Sequence, residues 1–300
     1  MSLWIPITLA AAFFQTLRFV LQKKLATTAL SAAGATFARF LYSAPLVAVL
    51  AMVYFRTTGQ ALPPLNAAFW LYGAFGGLAQ VLATVCVVML FKARNFAVGI
   101  TFKKTEVIQT VLVGWVLLGE GVTLPGFGAI ALGLIGVLLL SAPPDLVRWG
   151  LRDLANRAAG LGLLSGILFA ISGVCYRGAS LQLPLEDPLA RAGLTLACVT
   201  AMQLVGMTIW LRLREAGEIT AVWRARRVAV WIGLTSLVGS LCWFTAFTLQ
   251  NVAYVNALGQ VELIFSLMAT VLFFREKVSA REWAGMAVLA ASILTLVLVI

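Results

Sequence analysis

The chain has 300 residues, of which 62% are hydrophobic and 11% are charged, and its mean hydropathy is +1.00. Ordinary globular proteins are about 45–50% apolar and about 25% charged, so this composition excludes a soluble globular protein, a disordered chain and a disulfide scaffold. The 22 Lys and Arg against 11 Asp and Glu give a net charge of +11, a balance that is common in nucleic-acid-binding proteins. The positions of the basic residues therefore decide between nucleic acid and membrane as the partner.

Apolar stretches long enough to cross a bilayer recur along the whole chain. One helical span needs about 20 mostly apolar residues, and in the absence of water such segments are expected to be α-helices. Residues 3–22 lack the pattern of a cleavable signal, so they are predicted to remain as the first span. The ten predicted spans are residues 3–22, 33–55, 67–91, 95–118, 123–141, 159–180, 188–211, 228–249, 253–273 and 282–300.

The basic residues are concentrated on one side of the predicted membrane. The odd-numbered loops hold fifteen of the 22 Lys and Arg, three lie on the opposite side, and four lie inside spans. The positive-inside rule then places the odd loops in the cytoplasm and both termini outside. The excess charge is a topology signal that also favours contact with anionic membrane lipids. Nucleic acid is not expected as a partner.

The two halves of the chain resemble each other at a constant spacing. Residues 105–120 (TEVIQTVLVGWVLLGE) resemble residues 261–276 (VELIFSLMATVLFFRE), so that Glu106 matches Glu262. Because each half holds an odd number of spans, the halves are predicted to have opposite orientations. The predicted fold is an all-α membrane protein with ten transmembrane helices in two inverted five-helix repeats. The predicted boundaries are 1–142 for repeat one, 143–157 for a connecting loop and 158–300 for repeat two.

A span that ends in LLGE, a Gly-rich span after it and two five-helix halves occur together in this chain. In these features the chain resembles the drug/metabolite transporter superfamily, EamA type. The family pattern in spans four and nine is typically a Glu-Pro pair, whereas Glu106-Val107 and Glu262-Leu263 keep the acid without the Pro. The resemblance implies export or exchange of small metabolites such as amino acids, purines, sugar phosphates, nucleotide-sugars or amphiphilic drugs.

The residue types that common enzyme chemistry requires are missing. The chain has no His, its four Cys are isolated within apolar spans, and it has no GxxxxGK[ST] phosphate-binding loop. We therefore predict that the protein is not an enzyme and that it holds neither a metal nor a cofactor. Energy for transport is expected from a gradient or from exchange, with protons as one candidate coupling ion.

Polar residues inside the spans are the candidates for a substrate site, because an ionisable group at membrane depth is costly unless it is paired or hydrated. Gln15, Arg18 and Gln22 share one face of the first predicted helix. Arg18 is expected either to face the interior of the bundle or to extend towards the membrane surface. Gln80 is the corresponding polar candidate in the third span.

Span four carries the densest polar stripe. Lys103, Glu106 and Gln109 recur on one helical face, and Lys104 adds a second cation beside them. One alternative is a simple ion pair between Lys103 and Glu106. The other is a positive patch that binds an anionic group of the substrate, such as a carboxylate.

Span nine carries the matching polar residues Asn256, Gln260 and Glu262, but no Lys. Glu262 is expected either to pair with a cation of a neighbouring helix or to bind substrate or a proton. The complete set of predicted substrate-binding residues is Gln15, Arg18, Gln80, Lys103, Lys104, Glu106, Gln109, Asn256, Gln260 and Glu262. These residues are expected to line a central cavity formed by spans one, three, four, six, eight and nine.

Other polar and aromatic residues in the spans are given structural roles. Tyr176, Arg177 and Tyr254 are predicted to be anchors at the membrane surface. Arg39 is matched by Arg191 in the second half, which indicates a repeated structural tie near one surface. Glu120 and its match Glu276 are predicted to be junction or capping groups. The alternatives of packing residues and an apolar substrate wall remain open for Trp243, Phe244 and Phe247.

These patterns predict a secondary active transporter, an exporter or exchanger of small metabolites such as amino acids, that works by alternating access in the bacterial inner membrane. Its expected partners are the small-molecule substrate and membrane lipids, and it is expected to be a monomer or weak homodimer. The alternative is a lipid or isoprenoid-phosphate flippase, which would use the same cations to hold a head group.

Overall fold

In the computed structural model, the described part of the chain is a bundle of α-helices. It comprises residues 2–91, 96–141, 157–265, 267–268 and 279–300, and within these ranges there is no strand. The predicted turn at residues 92–95, most of the predicted connecting loop and Glu276 lie outside the described residues.

The helices up to residue 141 follow the first five predicted spans, with the fourth divided in two. They are α1 (Trp4–Thr28), α2 (Ala32–Thr58), α3 (Ala67–Phe91), α4 (Phe96–Lys103), α5 (Glu106–Leu118) and α6 (Leu124–Ser141). The Ser31 side chain accepts a hydrogen bond from the N–H of Gly34 and so caps α2. Gly119, with φ of 68°, ends α5 in the left-handed conformation that favours glycine.

The helices of the second half follow the later predicted spans and add one short helix. They are α7 (Arg157–Leu181), α8 (Pro188–Arg214), α9 (Glu218–Arg224), α10 (Arg226–Leu249), α11 (Val252–Gly259) and α12 (Ala280–Val299). The sequence did not predict α9, which lies in the seventh loop. Ser279 and Glu282 form a capping box that fixes the start of α12.

The predicted count of ten spans is not confirmed. Among the described residues, seven helices are long and apolar enough to cross a membrane, namely α1, α2, α3, α7, α8, α10 and α12. The fifth predicted span forms the shorter helix α6, and the fourth and ninth spans are interrupted. The molecule is nevertheless an all-helical, multi-pass membrane protein.

The fourth and ninth predicted spans are broken at the same position of the two halves, which corrects the expectation of continuous helices. Helix α4 ends at Lys103 and α5 begins at Glu106, while α11 ends at Gly259 and the chain becomes helical again at Glu262. Each acidic residue is therefore the first residue after a break. A carboxylate is favourable there, because the free N–H groups of a helix start carry partial positive charge.

The breaks form without proline because the backbone tightens at the end of each first segment. The N–H of Lys104 donates to the carbonyl of Thr101 (3.2 Å), and the N–H of Gln260 donates to the carbonyl of Ala257 (3.2 Å). Both bonds span three residues, as in a 3₁₀ turn, instead of four. The regular helix is therefore interrupted at this point in each half.

The most extensive helix packing joins helices from different halves. Helix α3 packs against α7, α6 against α12, α1 against α10, and α2 against α8, while α5 contacts α11. The largest apolar core includes Leu196, Phe244 and Tyr254, and it also takes in residues of α5, α6 and α7. This packing surrounds the two breaks with helices from both halves.

The loops meet in two groups at opposite ends of the bundle. Ser31 in the first loop donates from its hydroxyl to Glu215 (2.5 Å) and from its N–H to Glu218 (2.6 Å), so loops one and seven share one end. Tyr54, at the end of α2, donates to Asp187 in loop six (2.5 Å) at the other end. Burial alone would raise the pKa of Asp187, but hydrogen bonds from the tyrosine hydroxyl and a backbone N–H outweigh burial and lower it. These contacts place loops one and seven at one end and loop six at the other, and the assignment of one end to the cytoplasm stays a prediction from charge.

A close contact between α4 and α7 depends on Gly162. A Cβ added there would lie against the backbone carbonyl of Gly99. We expect Gly162→Ala to lower the free energy of unfolding by about 1–3 kcal/mol, since overpacking forces the backbone to move. The measurement is the thermal unfolding midpoint in detergent. Gly160→Ala is the matched control, because a Cβ there has no neighbour within 4 Å, and equal midpoints for the two variants would contradict the close contact.

Candidate functional site

A cavity lies at the level of the two helix breaks, between residues of the two halves. Its lining comes from α1, α3, α4, α5, α7, α10 and α11, which correspond to the six predicted spans, and in addition from Arg39 of α2. The cavity volume is about 60 Å³. On a scale of about 10–15 Å³ per water, this space holds only a few water molecules. The cavity is therefore small in this structure.

Most of the predicted site residues are brought together around this cavity. Lys104 and Gln109 are outside the lining: Lys104 is buried behind it, and the Gln109 amide donates to the hydroxyl of Thr105 (3.2 Å). Binding of substrate by any of these residues stays a prediction. The predicted residues that line the cavity are Gln15, Arg18, Gln80, Lys103, Glu106, Asn256, Gln260 and Glu262.

The first of two buried ion pairs crosses the break between α4 and α5. The ammonium group of Lys103 lies 2.8 Å from a carboxylate oxygen of Glu106. It also lies 5.1 Å from the ring centre of Phe169, a distance suited to a cation–π contact. The simple ion pair considered from the sequence is therefore present, and it faces the cavity.

The second ion pair joins the two halves of the chain. Lys104, in the break of the first half, binds Glu262, the first residue after the break of the second half. The side-chain amide of Gln15 donates to the other oxygen of Glu262 (2.8 Å). Glu262 thus pairs with a cation of a neighbouring helix, the first of the two alternatives that the sequence left open.

Two buried arginines complete the charged lining. Arg18 and Arg39 are each only 4% exposed, and among the described residues neither has a carboxylate partner. One nitrogen of Arg39 donates to the hydroxyl of Ser240 (2.8 Å), and the guanidinium of Arg18 lies 4.4 Å from the ring centre of Phe19. In both side chains, Nη1 is buried without a hydrogen-bond partner in the described part of the chain. Arg18 faces the interior and does not extend to the membrane surface.

Arg39 was not predicted to be a site residue, although its match with Arg191 was recognised in the sequence. The sequence predicted a tie near one membrane surface, repeated at Arg191. The structure shows the tie to Ser240, but it places Arg39 in the cavity lining. Arg191 does not repeat it, because its Nε is buried without a hydrogen-bond partner among the described residues. The available signal was the spacing of Thr36, Arg39 and Ser43 along one helical face.

Aromatic rings form the wall of the cavity. Tyr176 stacks on Phe244 with ring centres 4.2 Å apart, and Trp243 stacks on Phe247 at 5.5 Å. All four residues line the cavity. Tyr176 is only 1% exposed, so its predicted role as an anchor at the membrane surface is wrong. Its i, i+4 spacing from Ser172, another lining residue, was the sequence signal for an inward-facing position.

The other two predicted surface anchors also have internal partners. The hydroxyl of Tyr254 accepts a hydrogen bond from the N–H of Thr123 (2.9 Å). Arg177 binds Glu120, which supports the predicted junction role of that acid. Both contacts hold the loop between α5 and α6 against the second half.

The helices define the class of the molecule, a multi-pass membrane protein, and the comparisons with known proteins show which family its second half resembles. Residues 156–298 match the model of the EamA-like transporter family. This match confirms the resemblance to the EamA type of the drug/metabolite transporter superfamily. The second half of the chain is therefore similar to a family of membrane transporters of small solutes.

A solved crystal structure of another protein has a similar fold. The two chains are 15% identical, the TM-score is 0.70, and the alignment covers 99% of this chain and 96% of the other. At this identity the likeness shows the fold alone. The comparison with curated proteins gives no match.

Proposed function

We propose that the protein is a secondary active transporter that exports or exchanges small anionic metabolites across the bacterial inner membrane by alternating access. One observation carries the proposal: Arg18 and Arg39 both line a small cavity, and in each of them the guanidinium Nη1 is buried without a hydrogen-bond partner among the described residues. A buried charge without a partner is costly, and the oxygens of a substrate carboxylate would satisfy it.

Two inverted repeats of five helices are part of this proposal. Support comes from the breaks, which lie at matched positions, and from the helix pairs between the halves. The pairs α1–α10 and α3–α7 correspond to each other if the halves are exchanged. Symmetry of this kind lets two halves rock about a central site and open it to each side in turn.

The wall opposite the cations bears on the kind of substrate. The stacked rings of Tyr176 and Phe244 offer an apolar surface beside the guanidinium groups. A small metabolite with a carboxylate and an apolar body fits this combination. Amino acids are the first compounds to test, followed by other carboxylates and by phosphorylated metabolites.

The test is uptake of radiolabelled amino acids, carboxylates and phosphorylated metabolites into proteoliposomes, with and without a pH gradient. We expect Arg18→Gln and Arg39→Gln to weaken transport of the best substrate about 10- to 100-fold, since one hydrogen bond to a charged group contributes about 1.5–3 kcal/mol. Arg214→Gln is the matched control, because Arg214 is exposed at the end of α8. Transport at the control rate by both cavity variants would contradict the proposal.

Comparing uptake with and without a pH gradient tests whether a carboxylate carries the coupled proton during transport. Glu106 and Glu262 are each held by a lysine, an arrangement that favours a fixed charge. If either carried the coupled proton, its Gln variant would lose the dependence of transport on the pH gradient. Unchanged coupling in both variants removes the two residues as proton carriers.

A lipid or isoprenoid-phosphate flippase is the second candidate, and one observation favours it. An apolar groove of about 380 Å³ lies between α3 and α8. Gln203 lines this groove, and its amide donates to the carbonyl of Gly77 (2.9 Å) and to Gln80 (3.0 Å), a residue of the cavity lining. Gly206→Leu would fill this groove. A flippase variant should translocate a fluorescent lipid phosphate more slowly, whereas a transporter of small anions should be unaffected.

A further inference from the structure

The cavity holds more positive charge than the protein itself neutralises. Four buried cations, Arg18, Arg39, Lys103 and Lys104, surround it or lie directly behind it, with only two carboxylates among them. Both carboxylates are bound to the lysines. We infer that the ligand is a dianion and that transport is an obligatory exchange, in which the empty protein does not reorient. This inference rests on the proposed function.

The protein has no further counterion for the arginines among the described residues. The remaining acids with described partners are engaged away from the cavity, and Glu186 is exposed in the sixth loop. The arginines therefore keep a net charge of two that only a ligand can neutralise. The engaged acids and their partners are Glu120 with Arg177, Asp187 with Tyr54, Glu215 and Glu218 with Ser31, and Glu282 with Ser279.

Water does not replace that ligand in the closed state. A cavity of about 60 Å³ admits only a few waters, far fewer than the hydration shells of two guanidinium groups. Alternating access must pass through a state closed on both sides, and there an uncompensated buried charge carries a large desolvation cost. This desolvation cost disfavours the closed state of the empty protein. A bound dianion neutralises the two charges and so removes the cost.

The two arginines also set the shape of the ligand. Nη1 has no hydrogen-bond partner among the described residues in either Arg18 or Arg39, and Nη2 of Arg39 donates to Ser240. A dicarboxylate or a phosphate monoester presents enough anionic oxygens for both groups, whereas a monocarboxylate leaves one charge unmatched. The stacked Tyr176 and Phe244 rings remain for the carbon skeleton.

The exchange is tested by uptake of radiolabelled succinate or glycerol 3-phosphate into proteoliposomes in chloride-free zwitterionic buffer. These probes distinguish a dicarboxylate from a phosphate monoester. We expect uptake at least about tenfold faster into vesicles loaded with the same unlabelled anion than into empty vesicles. Because the loaded protein carries no net cavity charge, a potential set with potassium and valinomycin should leave the exchange rate unchanged.

The charge of the ligand is tested with succinamate, the monoanionic monoamide of succinate. We expect it to inhibit succinate uptake at least about tenfold more weakly than unlabelled succinate does. In Arg18→Gln or Arg39→Gln, one cavity charge remains, so the preference should shift towards succinamate and uptake into empty vesicles should rise relative to loaded ones. The Lys variants at both positions keep the charge and should keep the dependence on internal anion, as should Arg214→Gln.

The possible outcomes separate this inference from the proposed function. Equal uptake into empty and loaded vesicles, or equal inhibition by succinamate, overturns the inference while anion transport stands. Preferred transport of a monoanion has the same consequence. If no anion of the panel is transported, the proposed function itself fails.

Discussion

Lys104→Gln is expected to lower the free energy of unfolding by about 2–3 kcal/mol, because it removes the one cation that directly contacts a buried carboxylate, while Lys103 and Arg18 remain near it. Glu262 is 9% exposed, and among the described residues its remaining side-chain partner is the neutral amide of Gln15. An amide in place of the ammonium group donates a hydrogen bond but supplies no charge. The measurement is unfolding by titration with dodecyl sulfate in mixed micelles, followed by far-UV circular dichroism.

The double variant Lys104→Gln with Glu262→Gln separates the pair from general disruption of the bundle. It removes both charges, so we expect most of the lost stability to return, and the double-mutant cycle gives the coupling between the two residues. Lys24→Gln is the control for loss of a lysine, since Lys24 is exposed near the end of α1. A single Lys104→Gln protein as stable as this control would show that Glu262 has another counterion.

The position of this pair also gives it a mechanical consequence. Lys104 lies in the break of the first half and Glu262 begins the helical segment after the break of the second. The pair therefore joins the two points at which the helices of the two halves are interrupted. If the proposed halves rock against each other, these two residues have to separate or move together, and the double variant is expected to change transport rate as well as stability.

The sequence predicted the helices well where hydrophobic length alone determines them. The third span was predicted at 67–91 and α3 is Ala67–Phe91, because an apolar run that follows Pro64 and Asn66 and precedes Lys92 leaves little choice of ends. The two breaks were not predicted. Neither contains Pro, and each depends on carbonyl groups that bond three residues along instead of four, which composition does not reveal.

The depth of a residue within its predicted span explains which cavity residues could be predicted from the sequence. Arg18, Lys103 and Glu262 lie well inside apolar spans, so the cost of burying their charge pointed to them directly. Arg39 and Tyr176 lie near the predicted ends of their spans, where a surface position is the ordinary expectation. Only tertiary packing, with α2 and α7 both in contact with α10, places these two side chains at the cavity.

Arg177→Gln is the second substitution with a large expected effect. Its Nε donates to both carboxylate oxygens of Glu120 (2.9 and 2.8 Å), and its Nη1 donates to the carbonyls of Phe247 (2.7 Å) and Gln250 (3.0 Å). One guanidinium thus holds the end of α5 and the C-terminal end of α10 to α7. Its side chain is 14% exposed, so its loss leaves several acceptors with little access to water.

We expect this variant to lose about 2–4 kcal/mol of unfolding free energy, measured by the same dodecyl sulfate titration, since each bond to a charged group contributes about 1.5–3 kcal/mol and the values do not add fully. Glu120 is 26% exposed, so solvent screening weakens its share, and Glu120→Gln should cost less than Arg177→Gln. Arg177→Lys keeps the charge but lacks the planar group that reaches the acid and the carbonyls together, so it should recover only part of the loss. A lysine variant as stable as the original protein would mean that charge alone holds this junction.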